Sequence, residues 1–95
     1  MKGYVVCVYK SISSEEKLKE YAVKARDAVE KYNGKFLIRG GESTINEGDK
    51  SPRTVVIEFE SYKEANLFYN SKEYQEAHDI LKGHAVRHHQ TIKGA

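Results

Sequence analysis

The sequence predicts an α+β domain: one four-stranded antiparallel sheet with helices on a single face. Three observations lead there. Apolar residues either alternate or recur at helical spacing, in the order β-α-β-β-α-β. Serines stand where each helical stretch begins, and two of them, Ser13 and Ser61, are followed three residues on by Glu. The first run, Tyr4-Val5-Val6-Cys7-Val8-Tyr9, is apolar on both of its faces, so its sheet has something to bury on each side.

Residues 3–9 form the first strand. Ser13-Ser14-Glu15-Glu16 then starts a helix, with Ser13 as cap and Glu16 as its capping-box partner. Leu18, Tyr21, Ala22, Ala25, Val29 and Tyr32 make one apolar stripe on a helix of about five turns. Asn33-Gly34 ends it, since both residues tolerate the left-handed conformation of a helix end. Lys35-Phe36-Leu37-Ile38-Arg39 begins a second strand, broken at Gly40-Gly41 and resuming toward Ile45. Paired glycines there predict a bulge or a close approach to the backbone.

Glu47-Gly48-Asp49-Lys50-Ser51-Pro52 is turn chemistry. The third strand, Arg53 to Glu60, sets Val55, Ile57 and Phe59 on one face and Thr54, Val56 and Glu58 on the other. Ser61 and Glu64 open a short helix carrying Ala65, Phe68 and Tyr69. Asn70-Ser71 interrupts it, Ser71 recaps, and Tyr74, Ala77, His78 and Leu81 carry the stripe to Gly83. Ala85 to Lys93 is a fourth, polar strand. This is the split βαβ arrangement of ferredoxin-like domains, and residues 1–95 read as one such domain.

Charge removes several function classes. Sixteen Lys and Arg against 14 Asp and Glu give a net charge of +2, too small and too evenly spread for an electrostatic nucleic-acid or membrane binder. The single Cys7 cannot form an internal disulfide and sits in an apolar run as a small hydrophobe. The N-terminal apolar stretch is too short for a signal-peptide core or a membrane span, so a cytoplasmic protein is expected.

With helices on one face only, the other face would leave Tyr4, Val6, Val8, Leu37 and Val56 in water. RNA-recognition domains share this element order and cover the face with bases stacked on aromatics. Here Arg53-Thr54-Val55-Val56-Ile57-Glu58-Phe59 offers aliphatics and a carboxylate at those positions. No amphipathic basic helix suits a membrane surface. A second copy packed sheet to sheet is the expected cover, giving a two-fold homodimer.

The run Tyr32-Asn33-Gly34-Lys35-Phe36-Leu37-Ile38-Arg39-Gly40-Gly41 resembles the signature of a known family. So do Arg53 to Phe59 and, after Ala65, Phe68-Tyr69-Asn70-Ser71-Lys72-Glu73-Tyr74-Gln75. Together they resemble the family catalogued as domain of unknown function 1330, in the dimeric α/β-barrel superfamily. The likeness spans Gly3 to Ala77. It implies a ferredoxin-like protomer and a sheet-to-sheet dimer, and no established reaction. The wider superfamily includes small monooxygenases that use neither metal nor flavin, lactone isomerases and haem-binding enzymes. The last strand departs from the pattern, with polar Arg87-His88-His89-Gln90-Thr91-Ile92 where the family carries an aliphatic run.

Candidate site residues follow from polar groups in apolar surroundings. Arg39 and Glu58 share a face by strand alternation with Leu37 and Val56. They would be either a cleft, Arg39 gripping a carboxylate and Glu58 acting as base, or a structural ion pair. Gly40 and Gly41 could turn backbone N–H groups toward an anion, though a bulge suits them better and they match no phosphate-loop motif. Tyr69, Ser71 and Tyr74 lie at the helix break, where a helix N-terminus offers free N–H groups; plain recapping is the structural alternative. His88 and His89 point to opposite faces of a strand, and no carboxylate among His78, His84, His88 and His89 has ligand-like spacing. No metal and no cofactor are therefore expected. One of His88 and His89 must face the cleft, and it is the candidate for acid–base work near neutral pH. The expected function is a homodimer binding a small polar organic molecule beside the sheet, as a cofactor-independent monooxygenase- or isomerase-like enzyme. A non-catalytic dimeric module is the alternative.

Overall fold

The computed structural model describes residues 1–95 and has the expected element order. The elements are β1 (Gly3–Ile12), α1 (Glu15–Lys31), β2 (Lys35–Arg39), β3 (Thr54–Phe59), α2 (Tyr62–Tyr69), α3 (Lys72–Leu81) and β4 (Ala85–Lys93). One sheet of order β2-β3-β1-β4 pairs every neighbour antiparallel. β3 therefore lies between β1 and β2, the split βαβ of a ferredoxin-like fold. The shortest dimension is 17 Å, that of one sheet and one helix layer.

Local chemistry explains the helix ends. Ser61 accepts from the Glu64 amide at 3.0 Å and Ser71 from the Tyr74 amide at 3.1 Å, each satisfying a donor at a helix start. The first cap is Ser14, which accepts from Lys17 N at 3.1 Å, and not Ser13. β1 runs three residues further than alternation indicated, to Ile12, past a bulge between Tyr9 and Ser11. That extension engages Ser13, whose hydroxyl donates to the His84 carbonyl, and moves the cap one residue on. Asn33 (φ 58°) stops α1 in the left-handed region.

The core lies between the sheet and the helices. Val5, Ile57 and Phe59 face Ala25, Val29, Ala65, Phe68, Tyr74 and Ala77, and a second cluster joins Cys7, Tyr9, Leu18 and Leu81. Phe68 packs tilted on Phe59 and on Tyr74, with ring centroids 4.9 and 4.8 Å apart.

The bulge in β2 falls at Leu37, not at Gly40-Gly41. Phe36 pairs with Ile57, and Ile38 then pairs with Val56, so Leu37 has no partner on β3. One inserted residue reverses the alternation beyond it. Arg39 consequently pairs with Val55 and joins Phe36 on the helix-covered face, its guanidinium 4.4 Å from the Phe36 ring centroid. Glu58 stays on the opposite, open face, where it accepts from the Tyr4 hydroxyl at 3.1 Å. The expected shared face for Arg39 and Glu58 is thus corrected: the sheet lies between them. Nor does the strand resume toward Ile45. Gly40 and Gly41 leave the sheet with φ of +76° and +99°, and residues 41–53 carry no regular structure.

Candidate functional site

The helix-covered face of the sheet holds a partly enclosed space that no element fills. It is a cavity of about 40 Å³ lined by Val5, Val55, Ile57 and Phe68 on its apolar side. Arg39, Arg53, Tyr21, Tyr74 and His89 bring the polar atoms, and no acidic side chain reaches it. Next to it, between α2, α3 and β4, a groove of about 410 Å³ opens to solvent, lined by Tyr69, His78, Lys82, Arg87 and His89. His89 borders both spaces.

β4 supplies the chemistry because its inward positions are polar. Arg87 pairs with Tyr9 and His89 with Cys7, so both side chains point under the helices. The Arg87 guanidinium sits among hydroxyls, not carboxylates. Its Nη1 donates to Tyr21 Oη at 3.1 Å and reaches Cys7 Sγ at 3.7 Å, while Nη2 donates to Tyr74 Oη at 3.4 Å. Its centre lies 5.4 and 5.1 Å from the Tyr9 and Tyr21 ring centroids, in reach of cation–π attraction. Tyr21 and Tyr74 hydroxyls are 2.9 Å apart, and Tyr74 Oη is 3.3 Å from His89 Nε2. One proton order satisfies every group: Arg87 donates to both tyrosines, Tyr21 to Tyr74, and Tyr74 to an unprotonated His89 Nε2. Tyr69 completes the wall, its ring centroid 5.0 Å from that of His89.

The electrostatics follow from this packing. Burial, and then the Arg87 charge, push the His89 pKa down to about 4, so its imidazole is neutral at pH 7. Burial and Arg87 also lower His78. Burial raises the pKa of Tyr9, Tyr74 and Cys7 above their ordinary values despite Arg87, and raises that of Tyr21 well above its own, so all four stay protonated. Burial works against the Arg87 charge, but Tyr21, Tyr74 and Cys7 more than offset it, and the guanidinium stays charged at every working pH.

The other expected residues divide. His89 is the histidine that faces inward; His88 faces out and pairs with Gln90 Oε1 at 3.1 Å. Arg39 reaches the cavity and Glu58 does not. The Gly40 amide is spent on the Thr54 carbonyl at 2.9 Å, which leaves no N–H nest there. Ser71 is buried and fully engaged, accepting from Tyr74 N and donating to the Phe68 carbonyl at 2.7 Å. Tyr74 and Tyr69 enter the site through their rings and the Tyr74 hydroxyl. No three His, Cys, Asp or Glu side chains gather to hold a metal ion. Arg87, Tyr21 and Arg53 are the groups that motif reading passed over. Strand parity with His89 was the available signal for Arg87; Tyr21 reads as core because its ring is core and only its hydroxyl is not.

Known structures share this frame. A protein of unknown function from Rhodopseudomonas palustris superposes with a TM-score of 0.76 at 12% identity, over 99% of this chain and 82% of that one. A dimeric protein of unknown function with a ferredoxin-like fold, from Bacteroides fragilis, gives 0.58 at 16%, over 98% and 96%. A candidate antibiotic biosynthesis monooxygenase from Nitrosomonas europaea gives 0.54 at 18%, over 97% and 89%. At such identities the likeness concerns the fold alone. No curated protein matches the chain significantly. A family model does match, along residues 2–95, and the chain belongs to that family, the domain of unknown function DUF1330.

Proposed function

We propose that the protein is a homodimer closed by the open faces of two sheets, and that each protomer binds a small polar organic molecule in the cavity beneath its helices. The observation that carries the ligand reading is the join of an apolar cavity to a hydrogen-bonded Tyr21–Tyr74–His89 chain. Binding sites are concave, mostly apolar and equipped with a few convergent polar groups, and this space has that composition. The dimer reading rests on the open face, where Leu37, Ile38, Val86 and Ile92 are 46, 47, 56 and 45% exposed, and on the dimeric relative from Bacteroides fragilis.

The chemistry available is the transfer of one proton without a cofactor. Once a ligand takes the place of the Tyr74 hydroxyl at Nε2, neutral His89 could accept a proton from carbon next to a carbonyl, and Arg87 could hold the charge that collects on the carbonyl oxygen. Returning that proton to another atom is isomerisation; reaction of the carbanion with dioxygen is the monooxygenase route. A binding module without turnover is the second reading, favoured by the low basicity of His89.

Size-exclusion chromatography with light scattering checks the assembly. The wild type should elute at twice the chain mass, and Val6→Lys with Val56→Lys should yield a folded monomer. A monomeric wild type overturns the dimer. A thermal-shift screen of small carbonyl compounds, followed by NMR of α-proton exchange in D2O, checks the chemistry. Exchange lost in His89→Gln with binding kept supports proton transfer; binding without exchange in the wild type supports the module.

A further inference from the structure

The inner face carries more positive charge than the fold requires. Tyr9 pairs with Arg87 on one side, and its amide donates to the Arg53 carbonyl at 2.9 Å on the other. Arg53, one residue before β3, and Arg87 thus flank Tyr9 in one row, two strand spacings or about 10 Å apart at the backbone. Arg39 joins them from β2 on the same face. None of the chain's four ion pairs includes any of the three. Arg39 is exposed at the rim, but Arg53 and Arg87 are half-buried, and withdrawing cations from water without counter-charge is unfavourable, so a site that does it has a use for the charge.

Counting donors shows what is left over. A guanidinium has five N–H bonds. In Arg87, the two on Nη1 go to Tyr21 and Cys7, and one on Nη2 goes to Tyr74. Nε–H and the second Nη2–H make no close hydrogen bond, the Tyr9 hydroxyl being a further weak neighbour of this guanidinium; they form the side-on edge of the fork, on a residue that lines the open groove. Two parallel N–H bonds on one edge match the two oxygens of a carboxylate. Arg53 Nε, by contrast, is fully buried and has no partner.

We propose that the ligand is a small organic carboxylate, its two oxygens on the open edge of Arg87 and its short body directed into the cavity. This rests on the cavity being a ligand site and adds the charge and head group of its occupant. The cavity of about 40 Å³ has room for about three water-sized groups, which limits the buried body to a few heavy atoms.

Carboxylate binding has a second signature in proton uptake. Facing His89 are Arg87 from its own strand, His78 and Tyr74 from α3, Tyr69 from α2 and Cys7 from β1, with Lys82 across the groove, Arg39 and Arg53 across the cavity and His88 on the far side of the strand; none is an acid. An anion on Arg87 offsets the nearest positive charge and makes His89 easier to protonate. The complex therefore binds more protons than the free protein between the lowered pKa, about 4, and the ordinary 6.5. Affinity should rise as pH falls through that range.

NMR titrations with lactate, lactamide and 1-amino-2-propanol test this on the full chain, since the three share a body and differ in head group. Lactate should shift the Arg87, Tyr74 and His89 resonances with affinity about tenfold or more above lactamide, and the amine should not bind. Lactate affinity should increase from pH 7 to pH 5. Arg87→Met should remove the preference and Arg87→Lys restore part of it. If Arg87→Met fails to fold, the wild-type series and its pH dependence still decide. Lactamide binding as tightly as lactate overturns the carboxylate while leaving the cavity a ligand site. Binding by none of the three overturns the carboxylate together with the cavity reading.

Discussion

The two faces of the sheet break opposite rules of burial. The helix-covered face hides Arg87 and His89 among aromatic rings and gives its arginines no carboxylate. The open face leaves Tyr4, Val6, Val8, Ile38, Val56 and Ile92 toward water and keeps its one acid, Glu58, hydrogen-bonded to Tyr4. Charge without counter-charge inside is what the proposed anionic ligand would balance; apolar surface without cover outside is what the proposed second copy would bury. Each face is incomplete in its own chemistry. The same strands make both, because successive residues of β1, β3 and β4 point to alternate sides.

Substitutions should separate the faces by size of effect when unfolding is measured at one protein concentration, since the stability of the proposed dimer would depend on it. Phe68→Ala removes the ring that touches both Phe59 and Tyr74 and should cost about 3–5 kcal/mol in urea unfolding. An equal cost for Val6→Ala would erase the distinction between the faces. Acidification comes next. With the folded His89 pKa lowered to about 4, the unfolded chain binds the extra proton between that value and 6.5. This contribution is complete above pH 6.5 and is lost as pH falls toward 4, on the order of 3 kcal/mol in all. In His89→Gln that part of the pH dependence should vanish.

Tyr74→Phe keeps the ring but withdraws the hydroxyl that meets Tyr21, Arg87 and His89, for about 1–3 kcal/mol. Tyr4→Phe deletes a hydroxyl in the same manner on the open face, where its one partner is Glu58. It should cost no more than about 1 kcal/mol in urea unfolding. Matching values for Tyr4→Phe and Tyr74→Phe would mean that the inner hydroxyl chain is no better shielded than the outer pair.

The site was half legible. His89 and Tyr74 follow from alternation and helical spacing, because both rules act within one element. Arg39 reached the site for a reason the sequence did not show. A bulge depends on how β2 meets β3, and Leu37 looks like its neighbours until Ile38 is found opposite Val56. Glu58 fell on the other face by the same cause. The Gly40-Gly41 pair was the visible irregularity, yet it marks the end of the strand and not the bulge. Arg87 was invisible as a site residue because an arginine on a polar strand is ordinarily solvated, and only its three partners, from β1, α1 and α3, show otherwise.

By itself the sequence determined what short-range physics decides: where helices start and stop, which residues share a face inside an unbroken element, and the β-α-β-β-α-β order that leaves few topologies. Only the tertiary structure decided what depends on two segments meeting. The register of β2 on β3 chose the face of Arg39, and β4 beside β1 drove Arg87 and His89 under Tyr21 and Tyr74. A residue's spacing is a property of its own chain. The charge it must balance is a property of whatever the fold sets against it.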